Sequence, residues 1–144
     1  MRIARRWALA AAFLSLTPLY AQVVDDFSQT EWRLFSSTPG KITAAAGKLT
    51  LEDADGEPAW VTASRVIHVD VDQTPIFLVE VTAVSDGGTV KLIRQEPFDK
   101  RVAIEIDRPG LYMVDMRGAF GWKGPMDIET CLYAAGEGGS ITYK

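Results

Sequence analysis

The feature that most constrains this chain is a hydrophobic period of two, repeated in short stretches and broken at short intervals by turn residues. Val102, Ile104 and Ile106 interleave with Ala103, Glu105 and Asp107, and Ile67, Val69 and Val71 interleave with His68 and Asp70. Successive side chains of a strand point to opposite faces, so this spacing describes strands with one face buried and one in water. The pattern recurs at Leu49/Leu51, at Phe77/Val79/Val81 within 76–84, at Val90/Leu92, at Tyr112/Val114/Met116 and at Met126/Ile128/Thr130/Leu132. Between these stretches lie Ala46-Gly47, Asp86-Gly87-Gly88, Arg108-Pro109-Gly110 and Gly136-Glu137-Gly138-Gly139, rich in residues that accept positive φ or preset a turn. No window after Gln22 carries a capped 3.6-residue period, so the crossover helices of a parallel sheet are not expected. The expectation is an all-β chain of roughly nine or ten strands in two packed antiparallel sheets, a jelly-roll or related β-sandwich, with a closed barrel as the alternative.

The N-terminus is organised differently. Arg2, Arg5 and Arg6 precede the largely apolar run Trp7 to Leu16, which Thr17-Pro18-Leu19-Tyr20-Ala21 separates from Gln22. This is the three-part form of a secretory signal peptide, and the run is about half the ~20 residues that a membrane-spanning helix needs. A signal-peptide helix over 1–21, removed after Ala21, is therefore expected, with a single sandwich domain over 22–144, a secreted or periplasmic location and no stable membrane span after processing. The 123 residues left suffice for one domain and not two. Losing the three arginines takes the net charge from −4 to −7, which repels phosphate backbones, so no nucleic-acid partner is expected. Export leads to an oxidising compartment, yet Cys131 is the only cysteine and cannot close an intrachain bridge. Stability has to come from the apolar core, with Cys131 packed as a small hydrophobe in the strand-like run 128–133.

Residues able to carry chemistry are few. Nineteen acids place some pair of carboxylates close together in any fold, so their number argues nothing. There is no nucleophile turn and no phosphate-cradling glycine loop, and the single histidine, His68, alternates with apolar neighbours as a strand-face residue does. An enzyme is not expected. Zinc lacks ligands. Structural Ca²⁺ is the one cofactor to weigh, because Asp53, Asp55 and Glu57 alternate around Gly56 and because Asp25 and Asp26 stand near the mature N-terminus. Sugar recognition needs flat apolar faces and planar polar groups, which Trp and Arg supply. Trp32 reads as a core residue. Trp122 sits in the glycine-rich stretch 118–125, where its ring is either an uncovered platform or a lid packed over a sheet edge, and Trp60, after Pro58, has the same two alternatives. Arg94 and Arg117 end strand-like runs, where a guanidinium reaches over a neighbouring loop. Trp122, Trp60, Arg94 and Arg117 are thus the ligand-binding candidates.

One resemblance spans nearly all of the mature chain. Asp26-Phe27 with Trp32, Gly47-Lys48-Leu49-Thr50-Leu51, the run Pro75 to Val81, Val90-Lys91-Leu92, the run Gly110 to Asp115 and Gly121-Trp122-Lys123-Gly124 follow in an order similar to that of galactose-binding-like β-sandwich modules. These are non-catalytic carbohydrate-binding modules of secreted bacterial glycoside hydrolases. The resemblance implies a sugar bound on loops at one end or on the concave sheet face, often with a structural Ca²⁺ near the termini. The matching positions are core and turn residues, so no binding residue carries over. Two functional expectations stand: a secreted module that docks a glycan by aromatic stacking and hydrogen bonds, and alternatively a structural or protein-interaction sandwich of the cell envelope.

Overall fold

The structure, a computed structural model, describes residues 27, 32–36, 40–53, 61–134 and 138–144. The expected signal peptide lies outside them, and among the described residues no helix is long and apolar enough to cross a membrane. In chain order the elements are β1 (Arg33–Ser36), β2 (Gly40–Ala45), β3 (Lys48–Asp53), β4 (Val61–Asp70), β5 (Ile76–Ser85), β6 (Gly88–Arg94), β7 (Asp99–Ile106), β8 (Gly110–Asp115), α1 (Met116–Phe120), β9 (Pro125–Ala134) and β10 (Ser140–Tyr143). They form two five-stranded antiparallel sheets, β1-β4-β9-β6-β7 and β2-β3-β10-β5-β8. We refer to them as the first and second sheet. Together they make the expected sandwich.

The alternation read in the sequence builds the core. From the first sheet Val61, Ala63, Ile67, Val90, Leu92, Ile104, Ile128 and Leu132 turn inward, to meet Leu49, Leu51, Val79, Val81, Ile141 and Tyr143 of the second. Tyr143 is fully buried and its hydroxyl donates to the Tyr133 carbonyl at 3.0 Å, which joins the two sheets through a polar contact that would be costly to leave unmade. Burial raises its phenol far above the ordinary value, so it stays protonated. The β2–β3 hairpin closes as its two-residue turn demands, with Ala46 and Gly47 at φ of 51° and 72°.

Two expectations need correction. The side chain of Val102 does not turn inward with Ile104 and Ile106. The register slips between Val90 and Lys91, so that Ile104 faces Val90 and Val102 faces Lys91. One extra residue in a strand exchanges its faces, and Val102 emerges 55 % exposed on the outer side. Met116 does not extend β8 either. It opens α1, where the Asp115 carboxylate accepts from the Gly118 N–H at 2.8 Å and left-handed Gly121 closes the far end. The side chain of Met116 is nonetheless buried, as a continued alternation would have had it.

Candidate functional site

The structure brings two of the four candidate residues together. Arg94, at the end of β6, holds its guanidinium 5.6 Å from the centre of the Trp122 ring. The indole N–H donates to Asp99 Oδ2 at 2.8 Å, and Arg101 Nε donates to Asp99 Oδ1 at 2.9 Å. Phe120 packs at 5.0 Å from Trp122, beneath the Arg101 guanidinium. The indole hydrogen bond is the largest influence holding the Asp99 carboxyl below its ordinary value; partial burial opposes it, and Arg101 and Arg94 reinforce it.

This cluster is a clasp and not the platform that an open indole would make. Trp122 is 1 % exposed. Its glycine-rich loop is tied down on both sides: Gly121 N–H reaches the Arg117 carbonyl, Val71 N–H reaches the Gly124 carbonyl, and Gly124 N–H reaches Asp72. The glycines let the backbone turn tightly enough to fold the ring inward against Asp99, Arg94 and Phe120, where it joins the core cluster that also holds Met116. The expected reach of Arg94 over a neighbouring loop is spent within its own turn, where Nε donates to the Pro97 carbonyl at 2.9 Å. Arg117, on α1, faces Asp72 at 3.5 Å. Trp60 lies outside the described residues, as do Asp25, Asp26, Asp55 and Glu57. Asp53 is described and is not a surface acid: it is buried, and its Oδ2 accepts from the Gly138 N–H at 2.9 Å, tying the end of β3 to the segment before β10. The other acids of the expected Ca²⁺ sites lie outside the described residues, and among the described residues no group of three acids, histidines or cysteines is gathered.

A larger set of polar side chains lies elsewhere, on the outer face of the first sheet. The register sets side chains there in rows that run across the strands. One row carries Thr62, Tyr133, Thr89 and Glu105; the next Arg33, Ser64, Cys131, Lys91 and Val102; the third Val66, Glu129, Ile93 and Lys100. His68 and Asp127 complete a fourth, with Nδ1 and Oδ1 at 2.7 Å. Tyr133 to Asp127 spans about 20 Å along β9, six residues at ~3.4 Å each. The middle of the face is low. Thr62, Ser64 and Cys131 are all buried, beneath the level of the longer side chains registered around them. Thr62 satisfies itself on the Leu132 carbonyl at 2.9 Å. Lys91 holds its ammonium 4.3 Å from the centre of the Tyr133 ring, and burial raises the Tyr133 phenol, keeping it a donor. Cys131 is pushed up to about 11, mainly by burial and further by Glu129, so it is an inert thiol at neutral pH.

Sequence reasoning missed this face. Its signal was present in the polar half of the β9 alternation, Asp127, Glu129, Cys131 and Tyr133, but the strands that flank β9 are remote in sequence.

The fold is that of carbohydrate-binding β-sandwich modules. The chain is similar to a lysine-to-alanine variant of CBM29-2, a family 29 carbohydrate-binding module, complexed with cellulohexaose: 13 % identity over 85 % of each chain, TM-score 0.53. A glutamate-to-arginine variant of a family 29 module matches at 17 % identity over 85 % of this chain and 86 % of that one, TM-score 0.49. No family model and no curated protein sequence matches the chain.

Proposed function

We propose that this chain is a secreted, non-catalytic carbohydrate-binding module that holds a glycan across the outer face of the first sheet. The observation that carries the reading is the long polar face itself, in which an aromatic ring, two lysines and two carboxylates surround a low floor of small side chains. A sugar chain presents alternating apolar ring faces and rows of hydroxyls, and binding it calls for a stacking surface with donors and acceptors at its rim. Tyr133 supplies the stacking surface once Lys91, which lies over its ring, turns to a sugar hydroxyl. Lys91 and Lys100 supply donors, and Glu129 and Asp127 acceptors. The structural neighbours support the reading, since one of them was determined with cellulohexaose bound. Trp60, which immediately precedes Val61 in the chain, is the further aromatic assigned to this role.

A glycan-array screen of the purified protein tests the proposal. A hit whose affinity falls at least tenfold, about 1.4 kcal/mol, in Tyr133→Ala and Glu129→Ala, with melting temperatures retained, supports it. A hit left unchanged by both would move the site off this face. N-terminal sequencing of the exported protein should begin near Gln22. The second reading, a protein-interaction sandwich, is favoured by a different observation: an exposed apolar patch on the second sheet, formed by Ile76, Leu78, Leu111 and Met113.

A further inference from the structure

We infer that β8 is a self-pairing edge, through which two copies of this chain join antiparallel with Tyr112 on the two-fold axis. The inference does not depend on the glycan reading. Among the described residues the sandwich has four edge strands, β1 and β7 on the first sheet and β2 and β8 on the second. Edges offer unpaired backbone groups to any strand that meets them, and folded chains blunt them with charge, bulges or shortness. β1 is four residues long. β7 displays Lys100, Arg101 and Glu105 and lies beside the bulge at Val90/Lys91. β2 displays Lys41, paired with Glu52 at 3.6 Å. β8 has fewer of these protections, its single charge, Asp115, standing at its end. From Gly110 to Val114 it carries no charge and no proline, and its register with β5 is unbroken. Leu111 and Met113 are each 65 % exposed on its outer face, and Leu78, opposite Met113 on β5, is 47 % exposed.

The strand is complementary to itself. Side chains alternate, so a two-fold pairing that sets outer side chains against outer ones has its axis on a residue and not between two. With the axis on Tyr112, Leu111 stands opposite the partner's Met113, and Gly110 opposite the partner's Val114. Pro109, which has no N–H to offer, stands opposite the partner's Asp115. At the flanks opposite charges approach: Arg108 comes beside the partner's Asp115, one oxygen of which caps α1, and Asp107 comes towards the partner's Arg117, which also faces Asp72 of its own chain. Moving the axis to Met113 would set Leu111 against the partner's Asp115, an apolar group against a carboxylate. The joined second sheets become one sheet of ten strands, with a continuous apolar band from Leu78 through Met113 to the partner's Leu111. A six-residue edge with this band is smaller than the ~800 Å² per partner of a standard stable interface, so the dimer assembles as concentration rises and is not permanent.

Sedimentation equilibrium of the purified protein from low to high micromolar concentration tests this. The expected result is a reversible monomer–dimer equilibrium that Met113→Lys and, separately, Leu111→Lys each weaken at least tenfold, while both variants keep the wild-type melting temperature. Hydrogen exchange should show protection of the 110–115 amides growing with concentration, and no such change in β2 or β7. A wild-type protein that stays monomeric throughout, a dimer that survives both lysine substitutions, or protection that grows at another edge would each overturn the inference.

Discussion

At the scale of single residues, Trp122 shows how a loop composition can be read correctly and its outcome still be missed. Three glycines around an aromatic pair do make a sharply turning loop, and the turn serves to bury the ring. Trp122→Ala should therefore destabilise the fold by about 3–5 kcal/mol, the range for truncating a buried aromatic, and thermal melts will show it. Trp122→Phe keeps most of the packing but removes the indole donor, and an NMR titration should find the Asp99 carboxyl moved back towards its ordinary value. Cys131 gives a prediction in pH. Burial raises its thiol from the ordinary 9.0 to about 11, so the folded state holds the proton more tightly. The stability from this difference is intact below pH 9 and lost as pH rises through 11. Urea denaturation across that window should fall more steeply for the wild type than for Cys131→Ala, and a thiol reagent at pH 8 should leave the folded protein unmodified.

At the scale of elements, the strands are held apart or together by small features of their backbones. Gly88, which begins β6, sits where a Cβ would come within 2.6 Å of the Tyr133 carbonyl and 2.7 Å of Ile141 Cδ1. The carbonyl belongs to the adjacent strand of the same sheet and cannot yield, and the isoleucine belongs to the facing sheet. Gly88→Ala should cost about 1–3 kcal/mol as overpacking, measured by denaturant midpoint at unchanged slope. Gly110→Ala, whose nearest such atom is the edge of the Tyr112 ring at 3.8 Å, serves as the control that should be tolerated. The bulge in β7 acts at the same scale, since it alone decides that Val102 faces outward and Ala103 is the extra residue.

At the scale of the whole molecule, the two outer faces differ in character: the first sheet carries most of its charged and polar groups around exposed Val66 and Val102, and the β5–β8 side of the second is apolar. If two copies join through β8, the axis is normal to the second sheet and both first-sheet faces look the same way. A glycan-bearing surface would then be met by two sites at once, and the second contact becomes intramolecular. The expected outcome is slower release of the wild type than of Met113→Lys from a densely coated glycan surface, with equal affinities for the same oligosaccharide free in solution. Surface and solution binding, measured side by side, check it.

What the sequence by itself determined is most of the local grammar: where most strands run, which side chains share a face wherever no bulge intervenes, and where the chain turns. The alternation through Met126, Ile128, Thr130 and Leu132 marked β9 and its buried face, and Ala46-Gly47 marked a turn, because these depend only on neighbours along the chain. The tertiary structure decided which strands lie side by side. That pairing places Lys91 over Tyr133 and Asp99 under Trp122, contacts between residues 42 and 23 positions apart. A glycine-rich loop is compatible with an open ring or a closed one; the choice rests on Asp99, Met116 and Asp72, which only the folded chain brings to it.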